Sequence, residues 1–592
     1  MDIINTLKTT TQAAIRELYK MEIPVDDILI NATKTEFEGD YTIVFFSISK
    51  KLGLSPIEAG EAAGQFLVKQ HPNLFTSYNV IKGFLNLTIQ ENYWIDFLQK
   101  NSDAPEYGIQ PVNNRTVVVE YSSPNTNKPL HLGHLRNNFL GWSVAEILKA
   151  CGYKVIKTCV VNNRGIHICK SMIAWKLFAK GATPQSTHTK GDHFVGEYYV
   201  KFNDVYTEQV NELIASGKTK EVAEKEAPIM LQARQMLLDW EKGDPEVMEL
   251  WNRMNDWVYA GFDATYKKTG SDFDKVYYES DTYLLGKELV VEGLKKNIFY
   301  AKDDGSVWID LRPDGLDEKI VQRKDGTAVY ITQDIGLAVH KFEEYGYEQS
   351  IYVVGDEQNY HFKVLKLICE KMGMPSYAGI FHLSYGMVEL PSGKMKSREG
   401  TVVDADDIIE KMEVISQQKT EELGKVSDFD EAELIQLYET IGMGALKFFL
   451  LRIDPKKRMI FNPEESIDFH GFTGPFIQYT YARICSVLRK QELPKGAMTI
   501  NQPLEILEKS LIIQAEHFPA IIHEAAETLD PSKLAIYIFN LARTYNSFYA
   551  EHSIANAEND EKKILRLKIS SIIANIIRKG MQLLGIRVPE KM

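Results

Sequence analysis

The sequence predicts an α/β protein centred on a parallel sheet, flanked by an N-terminal α+β module and a C-terminal all-α bundle. Three observations carry this. Val117, Val118 and Val119 form an apolar run suited to a buried strand. A Pro-broken polar loop follows, and His131-Leu132-Gly133-His134 then opens a helix with Leu135, Phe139, Leu140, Val144, Ile147 and Leu148 at helical spacing. Gly152 closes that helix as a C′ residue and 155–161 supplies a second strand, giving a strand–helix–strand unit. From Asp406 onward the apolar spacing is helical almost throughout. It ends in a strongly amphipathic segment with Ile564, Leu567, Ile572, Ile573, Ile576, Ile577 and Leu583 on one face.

In chain order, residues 1–112 read as a separate α+β module. A helix is expected over 3–18, strands over 41–47 and 79–87, and a helix over 56–70 between them; Asn113-Asn114 marks the exit. The central domain is placed at 113–440. Its first strand–helix–strand unit ends in the polar turn Asn162-Asn163-Arg164-Gly165. From about 166 to 275 the pattern is helical and highly charged, an insertion between two halves of the fold, with Trp175, Trp240, Trp251 and Trp257 as packing anchors. Strands are predicted again over 307–311, 328–332 and 350–355, with helices over 334–345 and 361–372. A Gly-flanked cationic loop at 391–400 precedes the helical remainder, and 441–592 is the predicted bundle.

Composition narrows the class. A chain of 592 residues with 44% hydrophobic and 25% charged residues is an ordinary globular protein of several domains. Cys151, Cys159, Cys169, Cys369 and Cys485 contain no C-x-x-C pair and are too sparse for a disulfide framework or a zinc ribbon. No apolar stretch approaches the roughly 20 residues of a membrane span. The N-terminus lacks the charged-then-apolar form of a signal peptide, so the expectation is cytoplasmic, without membrane contact. A net charge of −13 argues against general nucleic-acid binding. Residues 441–592, however, carry 20 Lys plus Arg against 16 Asp plus Glu, which is compatible with one RNA-facing surface there.

The segment 120–136 is the most informative. A strand, a loop and a helix N-terminus form a site for a polyphosphate, because free backbone N–H groups and the helix dipole favour anions. Gly133 has no side chain, so a flat base could lie on the backbone, and His131 and His134 could both donate to phosphate oxygens. The plain alternatives are two exposed histidines or half of a metal site, the latter unsupported by any cysteine cluster. Far downstream, Lys394-Met395-Lys396-Ser397-Arg398 is a cationic loop of the kind that closes on a triphosphate, or else an ordinary basic turn.

Together the two elements resemble the ATP-binding motifs of class I aminoacyl-tRNA synthetases, His131–His134 matching the first and Lys394–Arg398 the mobile second. The run Ser123-Pro124-Asn125, Lys128-Pro129, His131, Gly133-His134-Leu135-Arg136 is narrower and looks like the arginyl enzymes. The resemblance implies a Rossmann-type catalytic domain with a helical connecting insertion, an N-terminal domain touching the tRNA elbow, and a helical anticodon-binding domain. It implies ATP, L-arginine and the arginine tRNA as partners, Mg²⁺ with ATP, no protein-bound zinc, and a monomer. By the same resemblance His131, Gly133, His134, Lys394, Met395, Ser397 and His361 bind ATP, with His131, His134, Lys394 and Arg398 acting on the phosphates. Asp334 and Glu279 hold the guanidinium, Tyr330 stacks on or bonds to the substrate, Asn125 orients its α-amino and carboxylate groups, and Gln358 is a further contact. The second motif usually has a lysine where this chain has Ser397; Lys128, just ahead of the histidines, would supply the missing cation. Relatives often carry Asp at position 163, so the role of Asn163 stays open.

Each assignment has a structural alternative: Asp334 as a helix N-cap, Tyr330 as a core aromatic, Glu279 as a surface acid, Lys128 as a solvated loop lysine. The insertion looks neither large nor β-rich enough for an editing domain. The competing functions are a class I synthetase for another amino acid, or a silent paralogue that binds tRNA as a regulator.

Overall fold

The computed structural model describes residues 3–34, 36–391, 403–422, 424, 429–491 and 502–592. The centre is a five-stranded, wholly parallel sheet: β1 (Thr116–Glu120), β2 (Lys154–Val161), β3 (Lys275–Tyr278), β4 (Gln349–Gly355) and β5 (Ile380–Tyr385), in the order β5-β4-β1-β2-β3. The order reverses direction at β1, and open sheets of this kind bind ligands beyond the strand carboxyl ends at such a point. Between β1 and β2 runs α1 (Leu132–Ala150), as its apolar spacing predicts, ending in Cys151 and a left-handed Gly152.

Helix α1 lies directly on the chain leaving β1. A Cβ on Gly141 would stand 2.4 Å from Cβ of Tyr121, so only glycine permits this approach. Ser143 and the surroundings of Arg136 tie the other face to the helical bundle: the Ser143 hydroxyl donates to the Leu583 carbonyl at 2.9 Å. One helix thus joins the sheet to the C-terminal domain.

The insertion is helical from Ile166 to Thr269, and Trp175–Trp257 and Trp240–Trp251 pack edge to face within it. The N-terminal module has a four-stranded antiparallel sheet covered by Ile3–Tyr19 and Pro56–Gln70. Its strand predicted over 41–47 stops at Val44, because Phe46 already starts a short helix. The strand predicted over 79–87 is a hairpin, Phe75–Ile81 and Phe84–Ile89, turned at Lys82 and Gly83, both at positive φ. Two consecutive left-handed residues twist the strands the way a tight hairpin requires, and the Lys-Gly pair is a weak signal for it.

Two other expectations fail. Val307–Ile309 forms a strand, but in a separate three-stranded antiparallel sheet with Tyr300–Ala301 and Lys319–Gln322. Residues 328–332 are no strand: α2 runs Tyr330–Tyr345. Ala-Val-Tyr-Ile-Thr reads as extended by propensity, but the apolar period that continues through Ile335, Leu337 and Ala338 is helical and the longer pattern wins. The helix α3 (Asn359–Lys371) then follows β4.

After β5 the two-residue strand β6 (Val388–Glu389) pairs in parallel with β7 (Met459–Ile460). Between them α4 (Glu431–Leu451) runs unbroken through the boundary expected at 440/441. This 21-residue helix is by length and composition apolar enough to cross a membrane, contrary to the expectation from sequence, but 67% of its apolar stretch is buried inside the protein. The N-terminal module docks on the bundle: Ile3 N–H donates to Glu516 at 2.8 Å and Lys509 pairs with Asp40 at 2.8 Å.

Replacing Gly141 by Ala is expected to push α1 away from Tyr121 and cost about 1–3 kcal/mol of stability. Thermal denaturation would read this as a lowered melting temperature; an unchanged one would show that the helix does not lean on the loop after β1.

Candidate active site

At the carboxyl edge of the sheet lies a cavity of about 710 Å³ whose lining includes Asn125, His131, Gly133, His134, Glu279, Tyr330, Asp334, Gln358 and His361. Residues spread over more than two hundred positions thus meet where β1, β2, β3 and β4 end.

His131 is the N-cap of α1. Its Nδ1 accepts from the Gly133 N–H at 3.1 Å, and Nδ1 of His134 accepts from the His131 N–H at 3.1 Å. Each ring satisfies an amide that the helix start leaves unpaired, and each is thereby fixed as the neutral tautomer with its proton on Nε2. The ring centroids are 3.9 Å apart. Burial, with the Lys128 ammonium nearby, pushes His131 down to about 4 and His134 well below the usual histidine range. The rings are therefore neutral donors at physiological pH. Gly133 lines the cavity, and a Cβ there would stand 2.9 Å from the His131 imidazole, so a side chain at 133 would disturb the cap.

The loop leaving β1 is strained. Ser122 and Ser123 both have left-handed backbones, φ 73° and 47°, sparsely populated by residues with a Cβ. Side chains hold them there. Asn137 of α1 accepts the Ser122 N–H at 2.6 Å, the Ser122 hydroxyl bonds that of Tyr266 at 2.7 Å, and Ser123 Oγ accepts the Val160 N–H at 3.2 Å. The loop crosses the sheet edge and brings Asn125, exposed, beside Asn162 at the end of β2.

Acidic groups gather opposite. Tyr330 and Asp334 stand one turn apart on α2, not at a strand end. Asp334 accepts from His361 Nε2 at 2.6 Å, and the His361 and Tyr330 ring centroids are 5.0 Å apart. The N-cap of α2 is Val329, so Asp334 does not cap the helix; Tyr330, 59% exposed, is no core aromatic. Asp334 first, then burial, raises the Tyr330 hydroxyl above its usual range. Glu279 follows β3. Burial raises its carboxyl, Asp334 adds to the rise, and Arg164 opposes it.

Two further residues take their roles only from the structure: Glu120, which a reading of the sequence passes over, and Asn163, whose role it leaves open. Glu120, the last residue of β1, is buried and ion-paired with Lys341 of α2, whose ammonium lies 5.0 Å from the Tyr352 ring. The available signal was a carboxylate ending an apolar strand at the sheet's carboxyl edge. Asn163 is buried: its Nδ2 donates to Tyr259 and Ser280 hydroxyls at 2.9 and 3.0 Å, and its Oδ1 accepts the Ser280 N–H at 2.9 Å. It therefore holds the segment carrying Glu279 against the insertion.

Lys128 does not line the main cavity. It lies beyond His131, in a neighbouring hollow of about 230 Å³ shared with His193 and Asp404. Lys394, Met395, Ser397 and Arg398 lie outside the described residues. The chain on their far side returns to the head of α1, where Leu132 N–H donates to the Val403 carbonyl at 3.4 Å and Ala405 N–H to that of Leu130 at 3.0 Å. Among the described residues one group, Asp192, His193 and Asp406, has the donors for a metal. The Lys190 ammonium, 2.6 Å from Asp406 and 3.1 Å from Asp192, already serves as its cation, and none of the three lines the main cavity.

The tautomer assignment has a direct readout. Neither His131 nor His134 should titrate between about pH 5 and 8, in contrast to an ordinary histidine at about 6.5. Nitrogen-15 chemical shifts of the two rings, followed against pH, would show it; a midpoint near neutrality in either would overturn it.

Residues 98–462 match the model of the class I (R) tRNA synthetase catalytic domain, and 477–592 match the DALR anticodon binding domain. The arginine–tRNA ligase of Parabacteroides distasonis is 50% identical over 586 residues, covering 98% of either chain. That of Flavobacterium psychrophilum is 50% identical over 605 aligned positions, covering both chains fully. The structure of Thermus thermophilus arginyl-tRNA synthetase superposes over both whole chains with a TM-score of 0.79 at 22% identity, which bears on the fold alone. With near-half identity over its whole length, both domains in their expected order, and a histidine-headed helix at the sheet's switch point, the chain belongs to the arginyl-tRNA synthetase family.

Proposed function

We propose that this chain ligates L-arginine to its cognate tRNA through an arginyl-adenylate, in one cavity with an acidic end for the guanidinium and a histidine end for the triphosphate. The observation that carries this reading is the convergence of Glu120, Glu279 and Asp334 on the cavity headed by His131 and His134. Arginine brings a planar cation with five donors, for which carboxylates presenting lone pairs are the natural receptor. Lysine offers a single ammonium and would leave buried acceptors unmet, so no editing site is required.

In the first step the substrate carboxylate attacks the α-phosphorus in line, the bond to the β-phosphate oxygen breaks, and pyrophosphate leaves. The protein positions the reactants and stabilises charge rather than forming covalent bonds. Asn125 and Gln358 orient the α-amino and carboxylate groups, Glu279 and Asp334 hold the guanidinium, and Tyr330 covers it. His131 and His134 donate Nε2–H to phosphate oxygens, with Gly133 and His361 beside the nucleotide. His361 reaches ATP from its bond to Asp334, linking the two ends. Lys394, Met395, Ser397 and Arg398 close over the β- and γ-phosphates. ATP enters as its magnesium complex. In the second step the arginyl group passes to the terminal ribose of the tRNA.

The helical domain offers a cavity of about 1040 Å³ lined by Tyr479, Arg483, Arg489, Lys490, Tyr549 and Lys591. The Arg483 guanidinium lies 5.0 Å from the Tyr479 ring and 5.2 Å from that of Tyr549, an aromatic and cationic surface suited to unstacked anticodon bases. In the N-terminal module Phe46 and Phe84 stand exposed and edge to face, 5.2 Å apart at the hairpin turn, a platform for the tRNA elbow. In this reading the chain works in the cytoplasm as a monomer, and its five free cysteines are in keeping with a reducing compartment. Pyrophosphate exchange with each amino acid in the presence of tRNA tests the reading. Exchange with an amino acid other than arginine, or tRNA binding without charging, would replace it.

Two variants test individual roles. Asp334→Asn should raise the arginine KM by two to four decades and leave that of ATP nearly unchanged, since breaking a buried ion pair costs roughly 3–5 kcal/mol. An unchanged arginine KM would remove Asp334 from specificity. Lys128→Ala should damage adenylation far more than Ser397→Ala, and Ser397→Lys should partly restore the Lys128→Ala protein. No rescue in a folded double variant would mean that Lys128 is not the substitute cation.

A further inference from the structure

We propose that Arg136 is a positioning residue for adenylate formation, fixing the two-stranded ribbon that leads into the phosphate loop against the histidine turn of α1. The proposal rests on the reading above of His131, His134 and residues 391–400 as the phosphate-binding elements. Arg136 lies two residues beyond His134 and is 1% exposed. Its guanidinium donates to three main-chain carbonyls: Met387 at 3.3 Å, Pro455 at 3.1 Å and Lys457 at 2.8 Å. None of the ion pairs formed by the described residues includes it, and burial lowers it to about 10.

The three carbonyls lie on the two chain segments that lead into a pair of strands. Met387 precedes β6 and Lys457 precedes β7, and the strands pair Val388 with Met459 and Glu389 with Ile460. Gly386 N–H donates to the Pro455 carbonyl at 2.9 Å and Met459 N–H to that of Met387 at 3.1 Å, so the ribbon is already closed on itself by backbone bonds. What those bonds do not provide is a link to α1. Arg136 provides it, with donors in a rigid plane that a lysine or an apolar side chain lacks. A buried charge without a carboxylate partner is unfavourable unless its donors are met, and an apolar residue of similar volume would fill the space at lower cost. The guanidinium is thus a poor choice for stability and a good one for holding three carbonyls at fixed places relative to His134. Three residues separate Met387 from the start of the cationic loop, while its far side is tied to Leu130 and Leu132 of the same turn.

The test is pyrophosphate exchange by the full chain with tRNA present. Arg136→Met should lower kcat roughly hundredfold, the scale of a small misplacement of reacting groups, with the arginine KM unchanged. Arg136→Lys should recover part of the loss. A purely structural residue would not couple to the loop, so the decisive measurement is the cycle with Lys394→Ala: the combined loss should fall well short of the product of the separate losses. A multiplicative loss, or full kcat with only a lowered melting temperature, would overturn the proposal. Should Arg136→Met fail to fold, the same cycle on Arg136→Lys decides. His131→Ala and Lys394→Ala alone are the controls. If both keep full activity, the phosphate-site reading fails rather than the role of Arg136.

Discussion

The rest of the structure depends on the seating of α1 against β1. Gly141 lets the helix touch the chain after the strand, and Asn137 reaches back to hold the Ser122 amide in its left-handed conformation. Those two contacts place the helix N-terminus at the point where the strand order reverses, the part of an open parallel sheet where a phosphate is best met. Everything else in the cavity is arranged around that first turn.

The turn is capped by imidazoles rather than by the hydroxyls or carboxylates that usually serve. A carboxylate there would repel a triphosphate, and a hydroxyl would spend its acceptor on the amide and keep one short donor. A histidine bonded through Nδ1 satisfies the helix and still presents Nε2–H about a ring's width further out. Burial keeps both rings neutral, so they act as directed donors, and the cations of the site come from elsewhere.

Charge in the cavity is divided accordingly. Glu120 is balanced by Lys341, and Arg164 lies close enough to Glu279 to offset part of its burial. These compensations leave the acidic wall able to accept a cation without crowding three unopposed carboxylates around one cavity, one of them buried. Asn163 shows the same economy. With two donors and an acceptor all used, it ties Ser280 and Tyr259 together, and an aspartate there could do the same only if the hydroxyls turned to donate.

The sequence by itself determined the elements that local periodicity and motif spacing control: β1, α1, β2, the helical insertion, the helical C-terminal third and the family. It also named a set of polar groups at both ends of the cavity, because Asn125, His131, Gly133 and His134 sit in one short segment and Tyr330, Asp334, Gln358 and His361 in two others. Tertiary structure decided the rest. Residues 328–332 carry strand propensity but begin a helix, so Tyr330 and Asp334 reach the site from a helical turn. The Asp334–His361 bond, the Glu120–Lys341 pair and the Asn163 network each join residues far apart in sequence. Arg136 enters the sequence reading only as the last residue of the motif that resembles the arginyl enzymes. Only packing shows it buried among carbonyls from two remote strands, since a side chain's partners across long separations follow from how the layers meet and not from its neighbours along the chain.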